Sequence, residues 1–87
     1  MHKVLITGHA ESEAEALDFK VGEWVNGIGL MIRRTGDGKS IETGAGIWPT
    51  IDKAKQIAQE TTERLFGSQH SIVWTEIQAA SAKAQHK

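Results

Sequence analysis

The stretch Trp48-Pro49-Thr50-Ile51-Asp52-Lys53-Ala54-Lys55-Gln56-Ile57-Ala58-Gln59-Glu60-Thr61-Thr62-Glu63-Arg64-Leu65-Phe66-Gly67 reads as one helix with both ends marked. Pro49 has no N–H to donate, and the Thr50 hydroxyl can accept from the free amides of a first turn. Ile51, Ala54, Ile57, Ala58, Thr61 and Leu65 recur at steps of three and four, which predicts one stripe facing a sheet. Lys53, Gln56, Gln59, Glu60, Glu63 and Arg64 fall on the other side, where water can hold them. Gly67 is the expected stop, as the residue that takes a left-handed conformation without penalty. The rest of the chain reads as surface for this stripe to cover.

Length bounds what that surface can be. A chain of 87 residues makes a single domain over 1–87, and one this small buries only about 60–65% of its unfolded surface. It has no cysteine, which excludes disulfides and thiolate metal sites as supports for a thin core. Packing or oligomerisation is left to stabilise it. The missing cysteines fit a cytoplasmic location, and no run approaches the roughly 20 apolar residues of a membrane span. The apolar run Val4-Leu5-Ile6 is also too short for a signal peptide. Net charge is −1, so no strongly charged partner is implied. Residues 1–18 hold Glu11, Glu13, Glu15 and Asp18 against Lys3 alone, a mild acidic bias at one end.

Lys3 to Thr7 reads as a short strand interrupted by Gly8. Glu11, Glu13 and Glu15 share odd parity with the apolar Leu17, Phe19 and Val21, and one pleated strand cannot send both sets to one face. A break is therefore expected between Ser12 and Ala16. Leu17–Val21 follows as a strand, Gly22-Glu23 as a turn, and a longer strand runs from Trp24 or Val25 to Arg34 with Ile28, Leu30 and Ile32 on its core face. Thr35-Gly36-Asp37-Gly38-Lys39 reads as a hairpin loop. Ser40 to Trp48 returns with Ile41, Ala45 and Ile47 inward. After the helix, Ser71 to Ile77 reads as a last strand, with Ile72-Val73-Trp74 expected to be covered on both faces. The alanine-rich tail 78–87 reads as frayed or helical. The fold class is α+β: an antiparallel sheet of about four strands in the order β-β-β-α-β, covered on one face by a single main helix.

The chemical motifs are weak. Gly36-Asp37-Gly38-Lys39-Ser40 ends as a phosphate-binding loop does, but Arg33 stands where that loop needs another glycine, and a strand follows where it needs a helix. Gly44-Ala45-Gly46 precedes the helix as a dinucleotide loop would, but Pro49 stands where the third glycine is needed. His9-Ala10-Glu11 has a deaminase-like spacing without the downstream cysteines. His9, Glu11 and Glu13 read as solvated charge, so no metal, cofactor or catalytic residue is assigned.

Two binding readings remain. Three antiparallel strands followed by a helix, over Leu17 to Gly67, resemble in element order the sheet-reading DNA-binding domains of the integrase arm-binding type. That resemblance implies nucleic-acid contacts from Lys20, Trp24, Arg33, Arg34 and Lys39. Such a face should be strongly basic, but it also carries Glu42, and Glu11, Glu13, Glu15 and Asp18 lie upstream of it. Nucleic acid is therefore the alternative. The preferred reading is an interaction module that assembles with itself, as a homodimer or higher assembly, or with another protein. If Ile28, Leu30 and Ile32 point inward, Gly27, Gly29 and Met31 point outward. By the same parity, Gly44, Gly46 and Trp48 join them. These six residues are the expected interface, because glycine weakens a strand unless something packs closely against it. The alternative covers for that face are the N-terminal strand and the tail.

Overall fold

The computed structural model describes residues 3–77. Five strands and one helix follow in the order β1 Lys3–Glu11, β2 Glu15–Trp24, β3 Gly27–Gly36, β4 Lys39–Trp48, α1 Ile51–Phe66 and β5 Val73–Glu76. The strands form one antiparallel sheet in the spatial order β4-β3-β2-β1-β5, with four long strands and a short fifth. The helix packs across one face of β2, β3 and β4. The fold is thus α+β, with β1 added as a full member of the sheet. Because β1 lies between β2 and β5, it does not fold over the sheet as a cover. The tail 78–87 lies outside the described residues. Among the described residues no helix is long and apolar enough to cross a membrane.

Two turns set the meander. Asp37 and Gly38 both have positive φ, 53° and 74°, and join the paired residues Gly36 and Lys39. This is the tight two-residue turn whose twist matches the flanking strands, and Asp-Gly is its favoured sequence. The β2–β3 connection is also two residues, Val25-Asn26, closed by Trp24 opposite Gly27. Gly22-Glu23, expected as that turn, lies within β2. Gly22 stays in the ladder opposite Val4, beside an irregularity in β1 between Val4 and Ile6. Gly8 does not interrupt β1 either. A side chain there would meet Ile72 and Trp74, within 2.8 Å of a Cβ, so Gly8 makes room for the last strand. The expected break between Ser12 and Ala16 falls at residues 12–14, where the Ser12 hydroxyl accepts from the Glu15 amide at 3.1 Å.

The core lies between helix and sheet. Ile6, Ala10, Leu17, Phe19, Val21, Leu30, Ala54, Ala58 and Ile72 are its buried apolar members. Thr50 caps α1, its hydroxyl accepting from the Lys53 amide at 3.1 Å. The stripe bears out Ala54 and Ala58 but drifts at its end. Thr62, not Thr61, is fully buried, and Phe66 packs on the core while Leu65 is exposed. Thr62 can be buried because its hydroxyl donates to the Ala58 carbonyl at 3.0 Å. Gly67 ends the helix with φ 106° and ψ 157°, outside the left-handed helical region expected but still a backbone shape that favours glycine. In β5, Trp74 lies 6.0 Å from Phe19 ring to ring on the helix side, with the Lys55 ammonium 5.4 Å from its ring centre. Val73 is 71% exposed, so β5 is an edge strand covered on one face, not two.

Candidate interaction face

Antiparallel partners point to the same side, so the cross-strand pairs sort every strand residue by face. Phe19 opposite Ile32 and Val21 opposite Leu30 mark the helix side. The other side, the open face, then carries His9 on β1, Asp18, Lys20, Gly22 and Trp24 on β2, and Gly27, Gly29, Met31 and Arg33 on β3.

Strand β4 changes parity along its length. Its pairing with β3 shifts between Gly29 and Met31, so Ala45 and Gly46 together oppose Leu30. Gly46 adopts φ 102° at this bulge. One extra residue flips everything beyond it to the other face. Gly44 stays on the open face, but Trp48 turns to the helix side and packs against the core, its indole N–H donating to the Ala45 carbonyl at 3.0 Å. Ile47 takes the open-face place expected for Trp48 and is 41% exposed. The expectation that Ile47 points inward and Trp48 outward is reversed by that single bulge. Nothing in the alternation of Ser40–Trp48 marks it except the Gly-Ala-Gly run.

The result is an apolar groove of about 200 Å³ at one end of the open face, lined by Trp24, Gly29, Met31, Gly44 and Ile47 together with Leu30 and Gly46. Trp24, expected only as a nucleic-acid contact, is 41% exposed and joins it. Three of the four expected glycines have separate causes. A side chain at Gly27 would collide with Ile47 and the Trp48 carbonyl, and one at Gly46 would press on the Trp48 indole at 3.0 Å. Those two are explained within the chain. A Cβ at Gly44 would meet only the Met31 sulfur at 3.9 Å, so that glycine keeps the groove open.

The opposite end of the open face is polar and internally paired. Glu42 reaches Lys20 at 3.6 Å and Arg33 at 3.9 Å. His9 bridges two strands, its Nδ1 hydrogen-bonded to Asp18 at 2.6 Å and its Nε2 to Glu11 at 3.0 Å. The hydrogen bond to Asp18, then that to Glu11, raises the imidazole above its ordinary value. Glu13, the third member of the sequence cluster, is exposed in the loop at 12–14. Among the described residues no group of three acidic or histidine side chains is arranged for a metal ion.

The basic residues of the nucleic-acid reading do not share a surface. Lys20 and Arg33 are on the open face with Glu42 between them. Arg34, opposite Leu17, is on the helix side and forms a pair with Glu15 at 2.8 Å. Lys39 sits beside the Asp37-Gly38 turn. Compared with protein-family models, with curated proteins and with solved structures, the chain matches none.

Proposed function

We propose that this protein is a small assembly module that associates with a second copy of itself through the apolar end of its open face. The observation that supports the reading is the groove of Trp24, Gly29, Met31, Gly44 and Ile47 on a sheet face that, among the described residues, carries no helix. At about 200 Å³ the groove is smaller than the roughly 300–1,000 Å³ of typical small-molecule sites, and suits an inserted side chain better than a free ligand. A sheet face about four strands wide and ten residues long measures roughly 19 Å by 34 Å. Its apolar end is only part of that, below the roughly 800 Å² per partner of a standard interface, and fits a weak, concentration-dependent association. Each 100 Å² of apolar surface removed from water contributes about 2.5 kcal/mol before association entropy is subtracted.

The test is solution mass by light scattering on the full chain. A dimer or larger species is expected at tens of micromolar. Gly44→Arg fills the glycine position that keeps the groove open, so it should lower the mass while far-UV dichroism stays unchanged. A native chain that is monomeric at high micromolar concentration, or an assembly indifferent to Gly44→Arg, would refute this reading.

A further inference from the structure

The two edges of the sheet are unequal. Strand β5 is four residues long, whereas β4 spans ten and is exposed over most of them. Natural edges are commonly blunted by proline, bulges or charged side chains, lysine above all, and the one lysine of β4, Lys39, sits at its turn end. In β4 the bulge comes only at Ala45-Gly46, and Lys39–Gly44 before it is regular strand. Glu42 is tied back to Lys20 and Arg33 on its own sheet. Ile41 stands on the helix side and is 68% exposed.

We propose that Lys39–Thr43 of β4 pairs antiparallel with the same segment of a second copy, with the two Ile41 side chains opposite one another. The hairpins say which backbone groups are available. The closing pair of a two-residue hairpin exchanges both hydrogen bonds, and pairs alternate thereafter. From Gly36 opposite Lys39, the β4 residues bonded to β3 are Lys39, Ile41 and Thr43. The other hairpin, closed by Trp24 opposite Gly27, independently turns the odd residues of β3 toward β2, which agrees. The amides and carbonyls of Ser40, Glu42 and Gly44 therefore face outward along the edge.

A two-fold contact between such edges allows few registers. Centring it on Glu42 sets two carboxylates directly opposite, which is destabilising. Centring it on Thr43 requires Ala45, inside the bulge, to sit opposite Ile41. Centring it nearer the turn runs off the strand. Centring it on Ile41 pairs Ser40 with Glu42 twice, giving four backbone hydrogen bonds. It also places Ile41 against its counterpart in a non-hydrogen-bonded pair, the closer of the two kinds. The contact uses a different surface from the groove, so either can fail alone.

The chain has no cysteine, so single cysteine variants report the register directly. In the proposed pair the two Cα atoms at 41 are about 4.5 Å apart, within disulfide range, while those at 43 are four residues out of step and beyond it. In a glutathione redox buffer, Ile41→Cys should form a disulfide dimer at least tenfold faster than Thr43→Cys. Gly44→Arg added to Ile41→Cys should leave that rate unchanged, which separates this contact from the groove. On the unsubstituted chain, the amides of Ser40 and Glu42 should exchange more slowly with deuterium as protein concentration rises, and that of Gly44 should not. Equal cross-linking at 41 and 43, or exchange at Ser40 and Glu42 independent of concentration, would overturn the proposal. So would a Gly44→Arg effect on the cross-linking rate.

Discussion

Gly22 and His9 show how single positions are set by their cross-strand neighbours. A Cβ on Gly22 would strike the Lys3 carbonyl oxygen and the Val4 Cα where β1 is irregular. That glycine makes room for backbone and not for a partner, although in the sequence it looks like a turn residue. His9 stands opposite Asp18 on β2 and Val73 on β5, with Glu11 two residues along its own strand and Arg33 across from Asp18. Its folded pKa is raised, chiefly by Asp18 and then by Glu11. Its contribution to stability is therefore fully present below the unfolded value of about 6.5 and lost as pH rises through the higher folded value. Thermal unfolding should show a decrease in melting temperature above pH 6.5 that is absent in His9→Gln. An identical pH profile for the two proteins would refute the role given to the imidazole.

The helix and the meander were legible because each carries local punctuation. Thr50 and Gly67 bracket α1, and Asp37-Gly38 marks one hairpin. Val25-Asn26 lacks a glycine or proline, so the second hairpin was displaced onto Gly22-Glu23. The bulge at Ala45-Gly46 was invisible because a parity change is a property of two strands, and only the register with β3 reveals it. In the helix, Thr61 and Thr62 both return their hydroxyls to the carbonyl four residues back, so residue type alone does not show that Thr62 and Phe66, not Thr61 and Leu65, face the core. The middle of the stripe is secure. Ala58 is fully buried, and Ala58→Glu forces a carboxylate into the core, which should cost several kcal/mol and unfold so small a domain. Glu60 accepts a hydrogen bond from the exposed Gln56 amide at 3.0 Å, and Glu60→Ala should cost a few tenths of a kcal/mol. Comparable melting temperatures for the two variants would refute this register.

At the scale of the described molecule, three strand cations are neutralised locally: Lys20 and Arg33 share Glu42, and Arg34 holds Glu15. The proposed contacts are compatible with this arrangement, since edge pairing extends the sheet and leaves the apolar end of its open face available for packing. Nucleic acid would need something different. Affinity for it comes largely from cations that displace counterions from phosphate, and a protein making several such contacts loses orders of magnitude in affinity between about 50 and 200 mM salt. Here Arg34 and Arg33 point to opposite faces, and a net charge of −1 supplies no long-range attraction. Trp24 could stack on a base, but stacking without a basic track does not hold a strand. Mixed-sequence duplex and single-stranded DNA should therefore bind weakly at physiological salt, with a shallow dependence on salt concentration. Fluorescence anisotropy with labelled oligonucleotides measures both. Tight binding that collapses between 50 and 200 mM salt, and is lost in Arg33→Ala, would show that the sheet reads nucleic acid after all.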